Sequence, residues 1–238
     1  MTPSSVWKVS SDCSRVMLDG NIYLTLDGNT WMSTTHPSGF TLDTTDPNLT
    51  YALSTDGSLW KFTSAGLVQY FVPPVAFPAG SQIFTAGGAI GLAKTTATSA
   101  WFTGFVDTGS SLQKCINYSF HDFVAQPRIF PSPSLTKVLV LGEANKPAWM
   151  NSAGTMTKAD LYVIECPNFQ NISLPLDHLQ TPANTRVNLG EEFLHFTQVD
   201  AAGLPLNDVV YYFKQGKVTL QVSKTPVVLP ANTVWIRS

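Results

Sequence analysis

Between Gly190 and Ser238 apolar and polar residues alternate with a period of two, and this pattern constrains the fold more than any other stretch. Three runs carry it, Phe193–Val199, Val209–Phe213 and Lys217–Val222, each followed by turn residues: Asp200–Pro205, Gln215-Gly216 and Ser223–Pro226. Successive side chains of an extended chain point to opposite faces, so this period sorts one set inward and the other toward solvent. A helix would need spacings of three and four. The Val, Tyr, Phe and Thr content favours strands, and the Gly, Pro and Asn punctuation favours short reversals. A fourth short run, Thr233–Ile236, follows Pro230-Ala231-Asn232. The expectation is an antiparallel meander.

The rest of the chain fits an all-β reading. Its 238 residues can bury a real core as one large β domain or two modest ones. With 14 basic and 16 acidic residues the net charge is close to zero, which argues against phosphate neutralisation or an anionic membrane as the main task. No nucleic-acid partner is expected. Cys13, Cys115 and Cys166 lie far apart, and their odd count without framework spacing reads as free thiols in a reducing compartment. No positively charged start precedes an apolar run, so no signal peptide is expected. Residues 62–93 carry no charge, but Pro73, Pro74, Pro78 and several glycines cut them into strand-length pieces. The run Ala86–Ala93 has a fusion-peptide flavour; a Gly-rich β corner is the plainer reading, and membrane insertion is not expected.

Taken in order, Val16–Gly20, Ile22–Gly28 and Tyr51–Gly57 each end in Asp-Gly, the strongest short-range hairpin signal. Thr25–Trp31 and Ser54–Trp60 share the pattern [ST]-x-D-G-x-x-W, which raises a β-propeller. A propeller needs four or more evenly spaced copies, and two copies in the first quarter instead suggest a shared hairpin turn. Leu67–Pro78 reads as a connector between sheets. Lys137–Leu141 reads as a buried strand, Asn145–Asp160 as a polar loop, Leu161–Cys166 as another strand and Leu176–Gln180 as one short helix.

Few residues suggest chemistry. Val106-Asp107-Thr108-Gly109-Ser110-Ser111 contains the D-T-G-[ST] turn in which aspartic proteases place a catalytic Asp. That chemistry needs a second carboxylate sharing one proton. The chain has no second D-[ST]-G, so a protease could act only as a dimer, and an ordinary turn is the competing reading. His36, His121, His178 and His195 show no metal-ligand spacing, and no G-x-S-x-G elbow is present. No metal, cofactor or catalytic residue is expected. The sequons at Asn48, Asn117 and Asn171 are what a Ser/Thr-rich composition produces. Sugar binding remains open, because Trp101, Phe102 and Phe105 beside Asp107 could pair an aromatic face with a carboxylate, with core packing as the alternative.

A resemblance runs along most of the chain. Glu192–Phe196, Asp200–Gly203, Lys214–Thr219 and Leu229–Asn232, with Leu18-Asp19-Gly20, Asp56-Gly57 through Pro74–Pro78, Ile129–Leu141, Cys166 and Leu174-Pro175 upstream, resemble the protruding domain of calicivirus (norovirus-like) major capsid proteins. The resemblance implies an antiparallel-sheet base with one short helix, formed by residues 1–78 and 129–238. This base would be split by an inserted, small, outer β-barrel-like subdomain at 79–128. It also implies a non-enzymatic homodimer on the virion surface, made in the host cytoplasm, that attaches to a host-cell receptor or glycan; the shell region of such a protein is not in this sequence. Its ligand-binding candidates are Gln215, Gly216 and Lys217, joined by Trp101 and Asp107. Where the family hairpin carries a tyrosine against fucose, this sequence has Lys217, so that stacking face is lost. The other two readings are a non-viral β-sandwich lectin and a dimeric aspartic protease using Asp107.

Overall fold

Among the described residues of the computed structural model, consecutive strands pair within each sheet, giving five four-stranded sheets in simple chain order. The structure describes residues 7–19, 22–27, 29–35, 42–63, 66–71, 80–150, 153–172, 174, 185–214 and 217–223. The first sheet holds β1 (Trp7–Val9), β2 (Arg15–Leu18), β3 (Ile22–Asp27) and β4 (Thr30–Thr35). The second holds β5 (Leu42–Asp43), β6 (Tyr51–Ser54), β7 (Leu59–Thr63) and β8 (Gly66–Phe71). The third holds β9 (Gln82–Ala86), β10 (Ala89–Thr95), β11 (Ala100–Asp107) and β12 (Leu112–Phe120). The fourth holds β13 (Arg128–Pro131), β14 (Lys137–Asn145), β15 (Thr155–Glu165) and β16 (Asn168–Ile172). The fifth holds β17 (Thr185–Leu189), β18 (Phe193–Val199), β19 (Pro205–Lys214) and β20 (Lys217–Ser223). A single 3-10 turn at Ala148–Met150 is the only helical element among the described residues.

The all-β expectation and the C-terminal meander are therefore present, and β18 begins and ends where the alternation does. Other expectations change. Among the described residues no sheet closes into a barrel; residues 82–120, expected within a barrel-like insertion, form an open four-stranded sheet. Asn145–Asp160 is not a loop throughout, because β15 starts at Thr155. Leu67–Phe71 belongs to β8 rather than to a connector. The Ala86–Ala93 run is a hairpin, with Gly87 and Gly88 at φ 52° and 89° between β9 and β10. No helix among the described residues is long and apolar enough to cross a membrane. Leu176–Gln180, Thr233–Ile236, Gln215 and Gly216 lie outside the described residues.

Four-stranded meanders repeated along a chain are the units of β-propellers. The repeat that the D-G-x-x-W echo fails to supply is thus present in the sheets. The echo itself joins β3 to β4 in the first meander but β6 to β7 in the second, so it marks a turn and not an equivalent position. The equivalent position is the first turn of a meander. Ser10 donates its N–H to the Arg15 carbonyl (3.0 Å), Cys13 N–H donates to the Ser10 carbonyl (2.9 Å), and the Ser10 hydroxyl oxygen accepts the Arg15 N–H (2.9 Å). In the fourth meander Ser132, Leu135 and Lys137 repeat all three bonds, at 2.9, 2.9 and 3.0 Å. Cys13 (φ 58°), Leu49 (φ 48°) and Leu135 (φ 59°) hold the left-handed position in the first, second and fourth meanders.

The chain divides into two compact units, Met1–Lys94 with Val106–Gln113, and Thr95–Phe105 with Lys114–Ser238. In the first unit Met17 and Tyr23 of the first sheet pack against Leu42, Leu49, Ala52 and Phe62 of the second. In the second unit Leu139, Leu141, Ala159 and Leu161 of the fourth sheet pack against Leu189, Leu194, Phe196, Val209 and Tyr211 of the fifth. Val138–Leu141 has no exposure on either side, which accounts for the continuous apolar run in the sequence. Burying each such side chain contributes about 1.5–3 kcal/mol.

The second unit also contains a disulfide, Cys115–Cys166, with Cα atoms 4.6 Å apart. This corrects the expectation of three free thiols. Cys115 lies in β12 and Cys166 just after β15, so two strands from adjacent meanders join residues 51 apart in sequence, while the odd third residue, Cys13, is exposed. No spacing rule signals such a pair.

Candidate functional site

Asp107, at the end of β11, is surrounded by donors. Lys61 Nζ lies 2.7 Å from Oδ2, Tyr51 donates its hydroxyl to Oδ2 at 2.6 Å, Tyr70 donates to Oδ1, and the Gly109 N–H reaches Oδ1 at 2.7 Å. The Lys61 ammonium also stands over the Tyr70 and Tyr51 rings, 4.8 and 5.6 Å from their centroids. Burial by itself would raise the Asp107 carboxyl, but the bonds from Lys61, Tyr51, Tyr70 and Gly109 more than reverse this and hold it well below the usual carboxylate range. Burial and the Asp107 bond push the Tyr70 hydroxyl up to about 12. The carboxylate is therefore ionised and its lone pairs are occupied. A shared-proton dyad needs a partner carboxylate, and the groups bonded to Asp107 are a lysine, two tyrosines and a backbone amide. The D-T-G turn is an anchor between β7, β8 and β11.

Trp101 stands at the opposite end of β11 and does not join Asp107. It is half-buried, and its indole N–H donates to Asn117 Oδ1 at 3.0 Å, an oxygen that also accepts the Thr103 hydroxyl at 2.7 Å. Trp101 and Thr103 are two residues apart and so share a face of the strand. Lys217 opens β20 opposite Lys214, with Gln215 and Gly216 of the same hairpin outside the described residues.

The residues with the most open chemistry are ones the sequence reading passed over. A cleft of about 570 Å³ in the second unit lies over β15 and its neighbours. Its polar lining includes Lys158, Asp160, Asn171 and Asp122, and its apolar lining includes Phe123 and Met156. Lys158 Nζ lies 3.7 Å from Asp160 Oδ2, donates to the His121 carbonyl at 3.1 Å, and stands 5.0 Å from the Phe123 ring centroid. Burial raises the Asp160 carboxyl, with Lys158 pulling the other way. The Phe123 ring can take this place because residue 142 of β14 is glycine. A Cβ there would lie 2.3 Å from Phe123 Cδ1 and 3.1 Å from Pro127 Cβ. The ring thus stands over bare backbone and forms one wall.

Beside the cleft is an aromatic shelf. Tyr118 and Phe169 are each 40% exposed, with ring centroids 6.1 Å apart, and both pack on the buried Tyr162 at 5.1 and 5.8 Å. Burial pushes the Tyr162 hydroxyl up to about 12, while its hydrogen bond with the Asn171 side chain acts in the opposite direction. Asn171 also lines the cleft, so one residue ties the shelf to the polar lining. The signal in the sequence was Lys158-Ala159-Asp160-Leu161-Tyr162, whose alternation sends Lys158, Asp160 and Tyr162 to one face and Ala159 and Leu161 to the core.

No family model and no curated protein matches this chain. Solved structures are similar at low identity. Hydrazine synthase of Kuenenia stuttgartiensis is 12% identical at a TM-score of 0.42, over 87% of this chain and 63% of that one. The WD40 domain of SCAP from fission yeast is 12% identical at 0.48, over 81% and 57%. YjhT is 14% identical at 0.39, over 91% and 79%. The chain thus spans less than two thirds of the first two. These likenesses are too loose to assign an activity.

Proposed function

We propose that this chain is a non-catalytic binding module, built from propeller-type meanders, that holds its ligand in the cleft over β15. The observation that carries the reading is the convergence of Lys158, Asp160, Asn171 and Asp122 on one strand-borne cleft with an aromatic wall. Small-molecule sites have this make-up, a few placed polar groups among apolar ones, and fall in this range of volume. Side chains fixed on paired strands hold their geometry better than side chains on loops. The sequence's own catalytic candidate, Asp107, has its oxygens filled by donors and offers no free base.

The test is a fragment-library titration of the full chain followed by amide and side-chain NMR. Ligand shifts clustering on Lys158, Asp160 and Asn171 are expected; shifts confined to other surfaces would overturn the assignment. Homodimerisation and receptor attachment from a virion surface, implied by the calicivirus resemblance, are a separate proposal, and no observation in the fold favours them over a binding module. Light scattering that finds only monomer at high concentration would remove that proposal.

A further inference from the structure

We infer that the cleft takes a neutral carbohydrate, with one sugar unit among Lys158, Asp160 and Asn171 and the next against the Tyr118–Phe169 shelf. This rests on the binding-module reading and names its ligand class.

Charge narrows the choice first. Two carboxylates, Asp122 and Asp160, face one ammonium, Lys158. That ammonium is already held by Asp160 at 3.7 Å and the His121 carbonyl at 3.1 Å. A phosphate, sulfate or sialic acid would enter against net negative charge. A metal ion is poorly served, because among the described residues no three His, Cys, Asp or Glu side chains are grouped to hold one.

Hydrogen-bonding character narrows it further. Asn145 and Asn171 each both donate and accept, Asp160 accepts and Lys158 donates. Vicinal sugar hydroxyls also donate and accept at once, and this mixed lining satisfies them. The sugar's other property is its CH faces. Tyr118 and Phe169 on the shelf, each 40% exposed, supply flat aromatic surface for those faces, while Phe123 is buried and serves only to back the wall and seat Lys158.

The disulfide is an independent observation that points to the same shelf. Cys115 precedes Tyr118 by three residues on β12, and Cys166 precedes Phe169 by three at the entry to β16. The covalent link therefore joins the two segments that carry the exposed rings. Fixing two rings in one arrangement before binding lowers the ordering cost of the complex.

The probes are gluco-, galacto- and manno-oligosaccharides of one to four units, with sulfated and sialylated counterparts, measured on the full chain by saturation-transfer NMR and calorimetry. A neutral series should bind, with affinity rising from one unit to two. Asp160→Asn should weaken every neutral ligand at least fivefold, and Tyr118→Ala with Phe169→Ala should abolish the gain from the second unit. Reduction of the disulfide should reproduce the shelf variant. Circular dichroism and melting confirm that each variant is folded, and a variant that fails this check is replaced by Asn171→Ala. Preference for sulfated or sialylated ligands would overturn the inference. If no sugar binds while fragments still shift Asp160 and Asn171, the carbohydrate inference fails and the binding module stands. If nothing perturbs these residues, both fail.

Discussion

Lys61 and Asp107 form a 2.7 Å ion pair that links a strand of the second meander to the last residue of β11. Asp107 is nearly buried, at 6% side-chain exposure, and Lys61 keeps 26%. Removing one partner leaves the other poorly solvated, which is why such pairs are costly to break although modest in net value. Asp107→Asn should destabilise the protein by about 1.5–3 kcal/mol, the range for hydrogen bonds to a charged group. It should also remove a pH effect. The folded-state pKa of Asp107 is depressed, so its stabilisation is present above the unfolded value of about 4 and is lost as pH falls through the folded value. Acid titration of melting temperature should show a steeper decline below about pH 4 in the parent than in Asp107→Asn. Equal slopes would show that the pair contributes no pH-dependent stability.

The Cys115–Cys166 disulfide closes a long loop, with the two cysteines 51 residues apart. Cross-links of this kind stabilise by restricting the unfolded chain, by about 2–4 kcal/mol. Cys166→Ser, paired with Cys115→Ser to avoid a stray thiol, should lower the denaturation midpoint accordingly, and reductant should lower the parent to the same value. A midpoint insensitive to reductant would mean that the bond does not form in the protein. Cys13→Ser serves as the control.

What could be read in the sequence depended on whether the signal was local. β18 is legible because apolar and polar residues alternate along it, although both its faces are buried, and β14 is legible because its buried residues form a continuous apolar run. The meander repeat was hidden because its first turn is conserved in geometry more than in letters. Ser10-Ser11-Asp12-Cys13 and Ser132-Pro133-Ser134-Leu135 share only their first serine in register but make the same three bonds. The D-G-x-x-W echo was visible and misleading, since Asp-Gly reports turn chemistry wherever a tight reversal occurs. Asp107 drew attention through its motif, yet what surrounds it comes from Tyr51, Lys61 and Tyr70, 56, 46 and 37 residues away. The cleft was missed for the same reason: Asp122, Lys158 and Asn171 become neighbours only once β12, β15 and β16 are placed.

The recurrent turn can be tested at its two ends. Ser132 is buried and its hydroxyl oxygen accepts the Lys137 N–H at 3.0 Å. Ser132→Ala should cost about 1–2 kcal/mol, because the amide loses its partner. Cys13 is exposed at φ 58°, where a side chain costs about 1 kcal/mol that glycine avoids. Part of that gain is offset by the greater freedom of glycine in the unfolded chain. Cys13→Gly should therefore be neutral to stabilising by about 0.5 kcal/mol. Denaturant unfolding of the two variants checks both signs, and a strongly destabilised Cys13→Gly would mean the turn does not hold the left-handed geometry.

Asp160 should show the opposite balance from Asp107. Burial raises its carboxyl, so the fold favours the protonated form, and the ionised form is tolerated at neutral pH with help from Lys158. By linkage, a group raised in this way gives stability that diminishes as pH rises above its unfolded value through its folded one. Asp160→Asn removes the buried charge and keeps the shape. Its melting temperature at pH 7 should equal or exceed that of the parent, with the difference vanishing below about pH 4. A large loss of stability at pH 7 would assign Asp160 to the fold and not to a ligand.

Gly142 and Phe123 should be coupled. A Cβ at residue 142 would lie 2.3 Å from the ring, well inside contact distance, so Gly142→Ala must displace Phe123 or shift β14. Overpacking of this kind costs about 1–3 kcal/mol. The ring also stands 5.0 Å from the Lys158 ammonium, so its displacement should disturb the cleft as well as the core. Phe123→Leu removes the clashing edge while leaving an apolar group. If the ring is the obstacle, Gly142→Ala should cost less in the Phe123→Leu background than in the parent, with an interaction energy of at least about 0.5 kcal/mol in a double-mutant cycle. Additive effects would place the obstacle in the backbone instead. The NMR signals of Lys158 and Asp160 should move in Gly142→Ala and return toward their original positions in the double variant, because the wall that orients them has been released.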